Sequence, residues 1–248
     1  MLVRPSFFSM LLAVGMVISA GTANANIIIS GTRVIYPADE REVTVKLSNE
    51  GKTPVLAQVW LDDGDASATP GSAKVPFALT PPLSRIDPRK GQHLRLMYTH
   101  DALPKDKESL FWLNVLEVPP RAEKGERPQN MLQLAIRSRI KVFFRPAGLP
   151  GDPRDAAAKV HWAWRKAESG NYVLTATNPT PYHVTFSKLT ASAGNASYES
   201  EAGGMVAPGA TQEFPVGHLS AAPAGALKVK YTFLNDYGGG SNGDVAAP

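Results

Sequence analysis

The sequence predicts an all-β protein built as two immunoglobulin-like β-sandwich domains, and three observations carry that expectation. Apolar residues recur at alternate positions in short runs, the period of a strand with one face buried. Between those runs are spread 21 prolines and 21 glycines, which leave helices little uninterrupted sequence. The chain has 248 residues, enough for two cores of roughly one hundred residues each. With no cysteine anywhere, those cores must hold by burial alone, without disulfides or thiolate metal sites.

The first residues read as an export signal. Arg4 precedes an apolar run from Phe7 to Ala20, and Ala23-Asn24-Ala25 supplies an A-x-A cleavage site. Residues 1–25 are thus expected to be removed, leaving a mature chain from Asn26. The run is short for a membrane span, and no later stretch approaches the roughly twenty apolar residues that spanning needs, so the mature chain is not expected to be membrane-embedded. A formal charge of +4, reduced by one with Arg4, is too small a surplus to point to a nucleic-acid partner.

Seven runs in the first domain, 26–146, are read as strands: 27–36, 42–48, 55–61, 75–79, 93–99, 110–118 and a long run from Met131. In the second of these, Val43, Val45 and Leu47 alternate with Thr44 and Lys46 before Asn49-Glu50-Gly51-Lys52 turns the chain. The run Met131 to Arg145 is the longest. Leu132, Leu134, Ile136, Ile140, Val142 and Phe144 share one parity, while Gln133, Arg137, Arg139 and Lys141 take the other. Such a strand is either a long core strand with a solvated basic face or an edge built to receive another chain.

Residues 147–151, with Pro150 and glycines at 148 and 151, read as a short, semi-stiff elbow. The second domain, 152–248, resumes with strand-like runs at 160–165, 172–177, 183–189, 212–216 and 227–234. Asn178-Pro179-Thr180-Pro181 breaks the pattern at a fixed corner, because neither proline can donate to a ladder. The Gly-rich tail after Tyr237 is expected to be disordered.

Several chemistries lack support. The five histidines, at 93, 100, 161, 183 and 218, have no metal-binding spacing and read as surface residues. Asp62, Asp63 and Asp65 around Gly64 hint at calcium, but without a closing glutamate they read as a polar hairpin turn. The tail's Gly-Gly-Ser-Asn-Gly matches a nucleophile elbow only formally, since no helix and no later histidine follow. No metal or cofactor is expected, and nothing argues for an enzyme. Trp60 and Trp112 fall inside strand patterns and read as core, whereas Trp162 and Trp164 could serve a sugar-binding platform. That platform keeps alive one alternative function, an exported two-domain adhesive or carbohydrate-binding sandwich.

The segment Leu103-Pro104-Lys105-Asp106-Lys107-Glu108-Ser109-Leu110-Phe111-Trp112-Leu113-Asn114-Val115-Leu116-Glu117-Val118-Pro119-Pro120 closely resembles the signature of periplasmic pilus-assembly chaperones of the chaperone–usher pathway. The resemblance extends to Thr32-Arg33-Val34-Ile35-Tyr36-Pro37, to Ile140-Lys141-Val142-Phe143-Phe144-Arg145-Pro146, to Asn178-Pro179-Thr180-Pro181-Tyr182 and to Asn235-Asp236-Tyr237-Gly238-Gly239. It implies two immunoglobulin-like domains in a boomerang, with a cleft that holds the C-terminal end of a pilin lacking its own last strand.

The resemblance also implies roles. Arg33 and Lys141 match two cleft cations that grip the subunit's terminal carboxylate by charge-assisted hydrogen bonds. Leu132, Leu134 and Ile136 match the alternating donors that fill the subunit's groove, and Glu108, Arg145 and Asp236 match a triad tying the two domains together. Pro54 matches a proline near an usher-binding surface. The implied partners are pilin or fimbrial subunits and the outer-membrane usher, with a self-capping homodimer when client-free, and the implied compartment is the periplasm. The short connection from Pro119 to Gln129 resembles the short-loop branch, whose clients usually build rod-like pili. Lys141 has the opposite parity from the three donors, so a bulge or strong twist between Ile136 and Lys141 is expected if both contact one pilin.

Overall fold

A computed structural model describes residues 26–120, 134–200 and 202–246. The signal segment and Leu132 lie outside the described residues. In chain order the first sandwich contains β1 (Ile27–Ile29), β2 (Arg33–Pro37), β3 (Val43–Asn49), β4 (Val55–Asp62), β5 (Phe77–Thr80), β6 (Leu83–Ile86), β7 (Gly91–Tyr98), β8 (Ser109–Val118) and β9 (Ile136–Arg145). One sheet has the order β1-β3-β7-β5 and the facing sheet the order β2-β9-β8-β4-β6.

The expected first strand, 27–36, is interrupted. β1 pairs with β3 in one sheet, whereas β2 runs parallel to β9 in the other. The chain crosses between them through Gly31, whose φ of 101° suits a residue without a Cβ. β6 was not anticipated, because four residues between prolines and an aspartate carry too weak an alternation to stand out as a strand. Between the sheets lies a core in which Leu47, Leu94, Leu96, Leu113 and Val142 are fully buried. Tyr36 is buried with them and uses its hydroxyl twice, accepting from the Tyr98 amide at 3.0 Å and donating to the Glu40 carbonyl at 3.1 Å.

β9 shows the alternation read from the sequence, and it shows no bulge. Its pairing with β8 runs from Ser109↔Phe144 to Glu117↔Ile136 without a shift. The expected bulge between Ile136 and Lys141 is therefore absent, because β8 pairs every residue of that segment. Val142 and Phe144 sit in the core and Ile140 packs against it, but the same row then leaves the sandwich. Ile136 is 39% exposed and Leu134 is 66% exposed.

The second sandwich contains β10 (His161–Lys166), β11 (Tyr172–Thr177), β12 (Val184–Ala193), β13 (Ala196–Ser200), β14 (Gly204–Val206), β15 (Thr211–Phe214), β16 (Leu227–Leu234) and β17 (Gly240–Ala246). A three-stranded sheet, β10-β11-β15, faces a sheet ordered β13-β12-β16-β17 with β14 also on β12. Trp162 is buried between the rings of Phe186 and Phe214, over a floor that includes Leu174, Leu189 and Val229. Trp164 packs edge-on against Tyr198.

The Gly-rich tail is ordered, contrary to the expectation from composition. β17 pairs with β16 at seven positions, Leu234↔Gly240 through Lys228↔Ala246, and Val245 packs against the core. Glycine is used there for space: a Cβ on Gly243 would stand 2.6 Å from the buried Tyr231 ring. Removing residues 240–248 should therefore strip one edge of the second sheet and lower the thermal midpoint of this domain by about 5–10 °C, the shift that a loss of roughly 1–2 kcal/mol produces in a domain of this size. A thermal scan of the truncated protein with an unchanged midpoint would return the tail to the role of a dangling end.

Candidate functional site

The two sandwiches meet around Arg145, the last residue of β9. Its Nε donates to Glu108 Oε1 at 2.7 Å, while Nη1 and Nη2 donate to the two oxygens of Asp236 at 2.7 and 2.8 Å. Glu108 stands at the entry to β8 and Asp236 in the turn from β16 to β17, so one guanidinium spans both domains. Burial alone would lower the Arg145 pKa, but the bonds and charges of Asp236 and Glu108 outweigh it and raise it above the usual arginine value. The guanidinium also lies 5.4 Å from the Tyr182 ring centroid. The Tyr182 hydroxyl donates to the Gly151 carbonyl at 3.1 Å, fixing the connecting segment against the second domain.

His183 belongs to the same joint, although no spacing or motif marks it. The second Glu108 oxygen accepts from the His183 backbone amide at 2.7 Å and lies 3.1 Å from Nδ1. The His183 side chain is 6% exposed, which corrects the reading of this histidine as a surface residue; His93, His100, His161 and His218 are exposed. A backbone bond from Glu108 N to the Pro181 carbonyl at 2.9 Å shows why the Pro-rich corner sits here. Proline keeps its carbonyl free while its ring holds the corner rigid.

Beside this joint opens a cleft of about 610 Å³ lined in part by Arg33, Phe143, Arg145, His183 and Asp236. Arg33 begins β2 and is directly opposite Lys141 of β9 in the parallel register. Arg33 stacks over Phe143 and donates through Nη1 to the Leu234 carbonyl at 3.2 Å, while its buried Nε has no hydrogen-bond partner among the described residues. Lys141 lies 5.5 Å from the centroid of Trp112. Among the described residues no carboxylate lies within salt-bridge distance of Lys141. Burial and the neighbouring Arg33 both push the Lys141 pKa below the ordinary lysine value. Burial likewise lowers that of Arg33, against the opposing pull of Asp236 and Glu108. Two half-buried cations side by side, one with an orphaned donor, form a site suited to an anion.

From this pair the strand runs out to an open edge. β2 covers β9 only from Lys141 to Arg145, so among the described residues 136–140 are paired with β8 alone. Leu134 and Ile136 project from the uncovered row. Lys141 thus shares β9 with Leu134 and Ile136 but not their face.

The outer face of the same strand is not the solvated basic face that alternation suggests. Arg139 lies 4.2 Å from the Trp112 centroid and Arg137 4.8 Å from that of Trp60. Both guanidiniums converge on Asp62, whose side chain is fully buried, with Arg139 bonded to it directly. Asp62 is therefore a buried strand-end residue that also caps the following turn by accepting from Gly64 N, while Asp63 and Asp65 are exposed. Trp112 is likewise an outer-face residue rather than core, because β8 is apolar on both faces and its parity alone does not separate them. Among the described residues no group of acids and histidines has the arrangement of a metal site, and no helix is long and apolar enough to cross a membrane. Pro54 borders a shallow apolar groove of about 400 Å³ with Leu56, Arg85 and Val118.

Comparison with known proteins gives a consistent picture across both sandwiches. Residues 26–150 match the family described as pili and flagellar-assembly chaperone, PapD N-terminal domain, and residues 155–245 match pili assembly chaperone PapD, C-terminal domain. The chain is 48% identical over 224 residues to the probable fimbrial chaperone YadV of Escherichia coli, covering 89% of each chain. It is 47% identical to the chaperone protein FimB/FhaD of Bordetella pertussis, covering 89% of this chain and 87% of that one. The crystal structure of the YadV chaperone superimposes with a TM-score of 0.75 at 43% identity, covering 90% of this chain and all of that one. A complex of Salmonella enterica SafA pilin with the SafB chaperone matches with a TM-score of 0.72 at 28% identity, covering 91% of this chain and 98% of the matched chain. With both domains matched over nearly all the described residues, the chain belongs to the family of PapD-like pilus-assembly chaperones, whose members are two immunoglobulin-like sandwiches.

Proposed function

We propose that this chaperone acts in the periplasm by lending the open edge of β9 to a pilin or fimbrial subunit that lacks its last strand, and then delivers the subunit to an outer-membrane usher. One observation carries the reading: the uncovered segment of β9, with Leu134 and Ile136 exposed, leads directly to the unneutralised pair Arg33 and Lys141. A client strand adding to that edge would gain ladder hydrogen bonds worth about 1 kcal/mol net each. Each donor side chain would contribute roughly 1.5 to 3 kcal/mol once buried in the client's groove. Leu132 would extend the row, two residues before Leu134. The client's terminal carboxylate would sit between Arg33 and Lys141, restoring the counter-charge that both lack and fixing the register of the added strand.

Glu108, Arg145 and Asp236, joined by His183, would set the angle between domains 26–146 and 152–248 across the elbow 147–151. A buried network of this kind is better suited to fixing one arrangement than to adding net stability. The apolar groove at Pro54 is the surface we assign to the usher. A client-free molecule could cover its own exposed edge by pairing with a second copy. Binding of this type is driven by burial and strand pairing, so the function needs no catalytic step. The alternative of a sugar-binding adhesin loses its platform, since Trp162 is buried, Trp164 packs against Tyr198, and Trp60 and Trp112 lie against arginines.

Co-expression with a pilin from the same genome, followed by purification from periplasm, tests the anchor. The Arg33→Ala, Lys141→Ala double variant should retain less than a tenth of the pilin held by wild type, about the effect of losing 1.4 kcal/mol or more; equal retention overturns the anchor. Leu134→Glu should leave the free protein folded, because this side chain is outside the chaperone's own core, and should abolish capture. An unfolded Leu134→Glu protein would instead mark the segment as structural. In urea unfolding, Arg145→Ala should cost about 3 kcal/mol, because it leaves the Glu108 carboxylate buried beside only His183. Asp236→Asn should cost less, since Asp236 retains contact with water; an inert Arg145→Ala would remove the joint from the account.

A further inference from the structure

The residues of β9 that are left uncovered on one face are the ones most heavily tied down on the other. Arg137 and Arg139 flank Ser138 in the middle of the open-edge segment, and both reach across β8 toward β4. Arg139 Nε donates to Asp62 Oδ2 at 3.1 Å and its Nη2 bonds the other Asp62 oxygen. Arg137 donates from Nε and Nη2 to Asn114 Oδ1 at 2.9 and 2.7 Å. Asn114 Nδ2 in turn donates to Asp62 Oδ2 at 2.7 Å, closing the set, and Gly64 N donates to Asp62 Oδ1 at 2.8 Å. Arg137 Nη1 also donates to the Ala66 carbonyl at 2.8 Å, and Trp60 Nε1 to the Ala68 carbonyl at 3.2 Å, so the loop after β4 is fastened to the same strand.

Stability alone does not account for this construction. Asp62 and Asn114 are both fully buried, and a buried charge of this sort is commonly neutral or unfavourable compared with apolar packing. Burial pushes the Asp62 pKa up, but its bonds from Arg139, Asn114 and Gly64 outweigh that and hold it below the usual carboxylate range. The carboxylate is thereby kept as the common counter-charge of two strand residues. A half-paired strand end without such fastening would fray, and ordering it on client binding would cost backbone entropy at each residue.

We propose that Asp62 and Asn114 are positioning residues that hold the donor segment of β9 extended through Arg137 and Arg139 before a client arrives. This rests on the donor reading above and adds a device to it: one face of 136–140 is anchored so that its other face and edge can be offered. The client then meets a strand already ordered, and the anchoring residues touch no client atom themselves.

The test compares Arg137→Met and Asp62→Asn with Leu134→Glu as a donor-face control. Two quantities are read: deuterium exchange in the free protein at 134–140 and at 91–98 of the opposite sheet, and the chaperone concentration giving half-maximal capture of a genome-matched pilin refolding from denaturant. Arg137→Met keeps an alkyl stem over Trp60 and removes the fork. It should speed exchange at 134–140 about tenfold and raise the half-maximal concentration severalfold, with exchange at 91–98 and the thermal midpoint unchanged. Asp62→Asn should do the same more strongly, and Arg137→Met stands as the test if Asp62→Asn does not fold. Unchanged exchange at 134–140 in Arg137→Met overturns the proposal, as does exchange that rises equally in both sheets while the midpoint falls. If Leu134→Glu captures pilin as well as wild type, it is the donor reading that fails; if Leu134→Glu loses capture while Arg137→Met binds normally, only the positioning role fails.

Discussion

The proposed function depends on where β2 begins. Because β2 starts at Arg33, opposite Lys141, and pairs with β9 only from there to Arg145, the first sheet has, among the described residues, a strand that is interior at one end and an edge at the other. Exposed edges with an apolar row are normally avoided, since they template association. Here the exposed part is short and lies between two devices: the cation pair at its inner end and the Asp62 cluster on its outer face. A single strand therefore serves the first core through Val142 and Phe144, the proposed client through Leu134 and Ile136, and the second domain through Arg145.

The domain joint is the second constraint, and it is electrostatic where the edge is hydrophobic. Arg145 is held by two carboxylates from different domains, and the Glu108 carboxylate is saturated by Arg145 and by both donors of His183. Charged groups buried to this degree cost much to desolvate, so their arrangement is tolerated only when each lone pair has a donor. Arg33 and Lys141, four residues from Arg145 in the β2–β9 register, are the exception. Their pKa values are lowered: burial outweighs the pull of Asp236 and Glu108 on Arg33, and burial together with the Arg33 charge lowers that of Lys141. The contrast between a closed network and an open one separates the structural ions from those available to a ligand.

Much of this was legible in the sequence, for reasons that differ by element. The period-two pattern of β9 is legible because its apolar row covers the core at Ile140, Val142 and Phe144 and continues as the exposed row of Ile136 and Leu134, while Val43, Val45 and Leu47 in β3 alternate because their row faces the core. β17 is hard to read because its Gly243 clears the Tyr231 ring, and a residue chosen for the space above an aromatic looks the same in sequence as one chosen for flexibility. The site residues Arg33, Lys141 and the joint were accessible only through motif resemblance, since no local rule connects β2 with β9. Asp62 could not have been found that way. Its role arises from three strands converging, while its own sequence neighbours, Asp63, Gly64 and Asp65, describe a turn. The expected bulge is absent for a related reason: it required Ile136 and Lys141 to share a face, whereas the unshifted pairing with β8 keeps them on opposite faces.

The most direct measurement is amide exchange across β9 when a genome-matched pilin is added to the folded chaperone. Strand addition predicts that exchange slows at residues 136–140, which have one free edge, while residues 142–145, already paired on both sides, change little. Protection that leaves 136–140 untouched, or that appears instead along β1 or β5 at the edges of the opposite sheet, would contradict it.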